Sequence, residues 1–268
     1  MTGPSAAGGG RNDIELAGRV IVVTGGAGGI GSATAARLAD AGAHVVVVDR
    51  DAEQAAAVAA DIAASGGSAL DLGVDVRHTD APTRIVEHVA GRFGALHALV
   101  NIAGFFPGDE GPLGGDMPRH WDLTMDVNLR SVAALCAQAA PHLVAAGGGA
   151  IVNTSSTQAR AADVAWTSYG VAKAGVESLT RYLATQYGRA GVRCNCVAPG
   201  LTATPNAVRR LPDVTAAAIL AQTPLGRMGR PEEIAEVVLF LVSERSSFVT
   251  GQVLAVDGGL TCHMPTLR

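Results

Sequence analysis

The chain is 268 residues long, with a net charge of −4 and a mean hydropathy of +0.27, and no basic run is long enough to neutralise a nucleic-acid backbone. Hydrophobic residues reach 48% while aromatics stay at 4%, and 34 glycines accompany 12 prolines, so the core must be small aliphatic side chains set between tight turns. No run nears the roughly 18 apolar residues of a membrane span, so neither a nucleic-acid nor a membrane partner is expected.

Residues 1–13 are small, polar and glycine-rich, without the apolar region of a secretory signal, and are expected to form a disordered tail. From Arg19 onward, short β-branched runs alternate with Ala-rich stretches of helical period, the pattern of a parallel sheet built from βαβ units. Strands are predicted over 20–24, 44–49, 69–75, 98–101, 150–154, 192–198 and 253–256. Their nearly continuous apolar character suits strands covered by helices on both faces. Helices are predicted over 30–41, 52–65, 79–92, 118–146, 168–189 and 231–244. The reading is one α/β domain over 14–268, with two long connections at 104–117 and 200–230 that read as binding loops or as surface insertions. Cys136, Cys194, Cys196 and Cys262 form no CxxC pair and read as buried thiols of a reducing cytoplasm. The seven histidines lack metal-ligand spacing, so no metal is expected.

After the first strand comes Thr24-Gly25-Gly26-Ala27-Gly28-Gly29-Ile30-Gly31, opening a helix. Glycines let bare backbone approach a pyrophosphate, whose charge is met by amides at the helix N-terminus. Asp49 ends the next strand, eighteen residues past Gly31, where a carboxylate accepts bonds from an adenosine ribose diol. Together these features point to a dinucleotide. The same carboxylate repels a 2′-phosphate, and Ala27 stands where a basic residue would favour NADP, so NAD is the expected cofactor. The Arg50 guanidinium, next in the chain, is the feature that would tolerate the extra phosphate.

Farther on, Tyr169 and Lys173 lie four apart on a predicted helix and so share a face. Ser156 ends the neighbouring strand thirteen residues earlier. With Asp75-Val76, Asn101-Ile102-Ala103-Gly104, Asn128, Asn195 to Gly200 and Val256 to Gly259, these motifs resemble the short-chain dehydrogenase/reductase family over about residues 16–259, in order and spacing.

That resemblance implies a Rossmann-type doubly wound parallel seven-stranded sheet and an NAD-dependent oxidoreductase acting on secondary alcohols or ketones. Tyr169 would be the base, and since a phenol with pKa about 10 is a poor base near neutrality, its pKa is expected to be depressed by Lys173 and the nicotinamide charge. Ser156 would bond the substrate oxygen and Lys173 the nicotinamide ribose. Asn128 would anchor a proton-relaying water, unless it is a mid-helix residue bonded only to backbone. Asp75 and Val76, ending the third strand, would contact adenine, with Asn101, Ala103 and Gly104 on the adenosine side. After Pro199 and Gly200, Thr202 and Thr204 would address the nicotinamide carboxamide, plain turns being the alternative. Ile102 replaces the family's second asparagine, which puts a sheet-edge hydrogen bond in question. The resemblance also implies a homotetramer or homodimer paired through the 118–146 and 168–189 helices.

Two rivals remain at this stage: an NADP-dependent 3-oxoacyl-carrier reductase and a non-catalytic dinucleotide-binding protein. Asp49 and the Phe105-Phe106-Pro107 stretch weigh against the first, and retention of Asn128, Ser156, Tyr169 and Lys173 against the second. Phe105, Phe106, Gln158, Trp166 and Leu201 are the expected substrate walls. In a chain so poor in aromatics they suggest an apolar or cyclic substrate, or else simple packing of the loops.

Overall fold

Valine-rich runs set the centre of the fold: β1 (Val20–Thr24) and the Val45–Val48 stretch of β2 (His44–Asp49) are shielded almost completely from solvent. The computed structural model describes residues 15–114 and 117–263. Five more strands complete a wholly parallel sheet: β3 (Ser68–Gly73), β4 (Ala98–Asn101), β5 (Gly149–Thr154), β6 (Val192–Pro199) and β7 (Val253–Val256). Their order is β3-β2-β1-β4-β5-β6-β7. The order reverses between β1 and β4, and ligands of doubly wound sheets bind beyond the strand ends at such a switch.

Helices cover both faces because each crossover between parallel strands must return over the sheet. On one face α1 (Gly29–Asp40) and α9 (Pro231–Val242) pack over Val23, Val45 and Val152. On the other, α3 (Ala81–Phe93), α5 (Ser131–Ala145) and α6 (Thr167–Tyr187) enclose Val22, Val46 and Ile151. Alanines at 35, 39, 139 and 184 in these interfaces let helices approach closely, which answers the scarcity of aromatics. The remaining helices are α2 (Ala52–Ala64), α4 (Trp121–Met125), α7 (Pro205–Arg210) and α8 (Asp213–Gln222).

Four expectations need correction. The third strand ends at Gly73, so Asp75 and Val76 lie in the loop beyond it. Val74 N–H makes one more bond to Asp49 O at 2.8 Å, after which Arg77 grips the Asp75 carboxylate and turns the chain. The helix expected over 118–146 is divided: between α4 and α5, Asp126–Arg130 forms a π turn, whose wider ladder accommodates the buried Asn128 side chain. The 200–230 connection is not a simple loop, since Thr204-Pro205 and Pro212-Asp213 start α7 and α8. Cys262 is exposed, unlike the other three cysteines, because it sits in the turns after β7 rather than in the core. The tail expected over 1–13 lies outside the described residues. Among the described residues no helix is long and apolar enough to cross a membrane.

Candidate active site

The glycine loop closes on itself more tightly than any side chain would allow. A Cβ on Gly31 would stand 1.9 Å from Gly25 O, and one on Gly25, at φ +66°, 2.7 Å from Ala103 Cα at the end of β4. Gly28 is the N-cap of α1 and supplies no side-chain cap, so that helix presents bare N–H groups. Asp49 Oδ2 accepts from Ala27 N at 3.1 Å and Oδ1 from Asp51 N at 3.2 Å, which orients the carboxylate at the loop's edge beside Arg50. A shallow depression lined by Arg50, Asp51, Asp75 and His78 continues from it. In Asp75 the Arg77 guanidinium holds the carboxyl below its ordinary value. Within the loop Gly26 N–H is bonded to Val48 O and Gly28 N–H to Gly25 O, so the bare amides are those of the first turn of α1, and with the oriented carboxylate they fit a dinucleotide's pyrophosphate and ribose. Gly29 faces the far side of this cleft, where a Cβ would meet Thr204 Cβ at 2.8 Å and Pro205 Cδ at 3.1 Å.

Not every residue marked from the sequence turns its side chain toward that cleft. Asn101 is buried and its Nδ2 donates to Asn153 Oδ1 at 2.9 Å inside the sheet. Ile102 packs partly buried against the core. The Thr204 hydroxyl accepts from Ala207 N at 3.1 Å and caps α7, while Thr202 Oγ1 donates to Gly200 O at 3.1 Å. Pro199 ends β6, and Gly200 lies so close to Asp257 Cα that a Cβ would come within 2.8 Å.

Ser156, Tyr169 and Lys173 converge where β5 ends and α6 begins. Ser156 Oγ accepts from Gln158 N at 3.2 Å and stands beside the Tyr169 phenol, whose ionised form it favours. Lys173 is 3% exposed, with Nζ donating to Thr154 O at 2.8 Å and lying 5.6 Å from the centre of the Tyr169 ring. An ammonium carries three donors, and among the described residues this is the one hydrogen bond that Lys173 Nζ makes. Two donors of a buried cation thus remain beside Gly104, where a Cβ would stand 3.8 Å from Nζ, a fit for the ribose hydroxyls of a nicotinamide nucleotide.

Burial sets the electrostatics of the pair. It lowers Lys173 to about 8, opposed by Cys196, and raises Tyr169 above its ordinary value, opposed by the Ser156 hydroxyl. The depressed tyrosine expected from the sequence is therefore absent from the chain alone: desolvation of the phenolate outweighs the help of that hydroxyl. Asn128 is fully buried and bonds only backbone, with Nδ2 donating to Phe105 O at 2.7 Å and Thr124 O at 3.0 Å and Oδ1 accepting from Phe105 N at 3.1 Å.

Of the expected walls, Phe106 and Trp166 lie 5.0 Å apart between ring centres, and Phe106 meets the Tyr169 ring edge-on at 5.1 Å. Phe105 instead turns to His120, 5.6 Å away. Gln158 lies in the 3₁₀ turn Thr157–Ala159 with its carbonyl against Gly170, and Leu201 begins the segment leading to α7. Sequence reasoning missed Glu110, whose carboxylate accepts from both Ser168 N and Ser168 Oγ. It also missed Glu177, which accepts from Ser155 Oγ at 3.1 Å and Arg160 Nε at 3.3 Å, next to Ser156 in the chain. A buried acid four residues past Lys173 was the one available signal for Glu177.

Residues 25–261 match the family model described as enoyl-(acyl carrier protein) reductase. The chain is 44% identical over 243 residues to cis-4-hydroxycyclohexanecarboxylate dehydrogenase of Sinomonas cyclohexanicum, covering 91% of this chain and 96% of that one. It is 35% identical to 7α-hydroxysteroid dehydrogenase of Bacteroides fragilis over 93% of this chain and 97% of the relative. Among solved structures, 7α-hydroxysteroid dehydrogenase complexed with NADH and 7-oxo glycochenodeoxycholic acid superposes with a TM-score of 0.87 at 33% identity, covering 92% and 96% of the two chains. The chain belongs to the short-chain dehydrogenase/reductase family.

Proposed function

We propose that this protein is an NAD-dependent oxidoreductase that interconverts an apolar, cyclic secondary alcohol and its ketone. The observation that carries the reading is the buried Lys173 ammonium with two free donors beside the Ser156–Tyr169 pair. When bound, the nicotinamide accepts or returns the hydride. Tyr169 Oη takes the alcohol proton, Ser156 Oγ bonds the substrate oxygen as its charge changes, and Lys173 holds the ribose while its cation favours the phenolate. Bare amides of Gly29 to Gly31, in the first turn of α1, take the pyrophosphate, and Asp49 takes the adenosine ribose and disfavours a 2′-phosphate. The cyclic substrate rests on the Phe106–Trp166 pair and on relatives named for hydroxycyclohexane and steroid substrates.

The test is a panel of cyclohexanols, hydroxysteroids and short acyclic alcohols with NAD+ and NADP+, followed by nicotinamide absorbance. Tyr169→Phe is expected to lower turnover at least a thousandfold, and undiminished turnover would remove Tyr169 from its role. A second reading, an NADP-dependent acyl-carrier reductase, draws on Arg50 and on the matched family's description; a specificity constant for NADP equal to that for NAD would favour it. Exposed Val171 and Tyr182 on α6 and Val144 on α5 support pairing into a dimer or tetramer, to be read by light scattering. Three buried free thiols suit a reducing cytoplasm.

A further inference from the structure

Helix α6 carries both Tyr169 and Lys173, yet its start is poorly provided for by its own residues. Trp166, at the N-cap, has φ 60° and ψ 35°, the one positive φ outside glycine among the described residues, and it offers no side-chain cap. The first N–H groups of a helix need acceptors. The acceptor for Ser168 comes from a distant segment. Glu110, 8% exposed, takes Ser168 N–H on Oε1 at 2.7 Å and the Ser168 hydroxyl on Oε2. A buried carboxylate is tolerable when both oxygens are bonded, and here its charge also faces the positive end of a 21-residue helix.

Glu110 belongs to the segment that supplies the aromatic wall. A turn closed by Glu110 N–H to Pro107 O at 3.1 Å directs its side chain to α6 while Phe106, four residues earlier, lies against Trp166 and Tyr169. Among the described residues the buried Trp166 Nε1 has no hydrogen-bond partner, and the indole's ring contact is with Phe106. Ser168 immediately precedes Tyr169 in the chain. One carboxylate therefore fixes the wall and the first turn of the catalytic helix to each other.

We propose that Glu110 is a positioning residue: through Ser168 it holds the Phe106–Trp166 wall against Tyr169, and so favours cyclic over small acyclic alcohols. This rests on the functional reading above. The test compares full-length Glu110→Ala, Glu110→Gln and Ser168→Ala with the parent, using cyclohexanol and 2-butanol with NAD+. The glutamine keeps an acceptor for Ser168 N–H and a donor for its oxygen.

In Glu110→Ala the KM for cyclohexanol is expected to rise tenfold or more, with the KM for NAD+ within twofold of the parent. The cyclohexanol to 2-butanol ratio of kcat/KM should fall at least fivefold, and Glu110→Gln should restore most of it. The chain has two tryptophans, so a Trp121→Phe background leaves Trp166 as sole reporter. There, Glu110→Ala should shift its emission to longer wavelength and Glu110→Gln should not. An unchanged ratio and emission in Glu110→Ala overturns the proposal. So does an equal loss for both alcohols that tracks a lower Tm and is not rescued by glutamine. If the alanine variant does not fold, Ser168→Ala, which removes only the hydroxyl half of the clamp, must move ratio and emission in the same direction by a smaller amount; no movement overturns the proposal. A parent without NAD+ turnover would overturn the functional reading, while the emission series still decides the clamp.

Discussion

The two long segments that border the cleft, one at Tyr169 and one at Gly29, are held in opposite ways. Residues 104–114 contain no helix or strand but are pinned by side chains at three places: Asn128 on Phe105, the Phe106 ring on Trp166 and Tyr169, and Glu110 on Ser168. The 200–230 segment forms two regular helices, yet α8 buries no residue, and Val208 and Val214 are 62% and 77% exposed. Regular secondary structure is thus a poor guide to rigidity here. Local stability follows buried contacts, and by that measure Phe105, Phe106 and Glu110 are the held side of the cleft, while in 200–230 the ends are tied at Thr202 and Thr223 and α8 between them is the loosely packed part.

The sharpest way to break this contrast is to remove a pin. Asn128→Ala leaves Phe105 N–H, Phe105 O and Thr124 O without their partner, and a buried unmade bond costs about 1–3 kcal/mol. A loss of about 4 kcal/mol in urea unfolding is expected, with at least a tenfold fall in kcat; a loss below about 1 kcal/mol would mean the segment is not pinned there. The next effect concerns the lysine that the pinned segment helps to cover. Burial lowers Lys173 to about 8 from an ordinary 10.5, so between those values the unfolded chain binds more protons than the folded one and folding gains as pH rises. Below pH 8 the penalty is whole, on the order of 3 kcal/mol at 1.36 per unit. Taking the difference between Lys173→Met and the parent cancels the buried Cys136 and Cys194 thiols, which titrate in the opposite sense and are not coupled to the lysine. The variant's excess stability is expected to be constant below pH 8 and to shrink from there to pH 10.5; a constant difference would mean that water reaches the lysine. The smallest effect belongs to the other side. Val208→Ser and Val214→Ser should change stability by no more than about 0.5 kcal/mol, as exposed positions do, and a larger loss by thermal unfolding would show α7 and α8 to be packed.

Much of the architecture was legible because period and composition carry it. Val45 to Val48 could be little other than a central strand, and a glycine run between Thr24 and a helix marks where bare backbone is needed. Tyr169 and Lys173 announce a shared face by their spacing alone. What escaped has no periodic signature. A π turn adds one residue to a helical turn, a single skip in the period that so short a stretch does not make visible, so Asp126–Arg130 read as ordinary helix. Glu110 sits in a stretch with no period at all, and its meaning depends on Ser168, 58 residues away. Asn101 illustrates a subtler limit: its position at a strand end was plain, but which way an amide turns is decided by a partner on the next strand. The pKa of Tyr169 depends on burial, which a sequence states only in part.

That amide has a consequence for how the site is measured out. Asn101 and Asn153 are register partners between β4 and β5, and the second asparagine passes the link to Thr180 Oγ1 of α6 at 3.0 Å. A slide of either strand by one residue would flip that strand's amide to the opposite face of the sheet and leave both asparagines without each other in apolar layers. The buried chain of amides therefore works as a ruler: it sets the height at which β5 delivers Ser156 relative to the height at which α6 delivers Tyr169, from beneath the cleft and without touching anything in it.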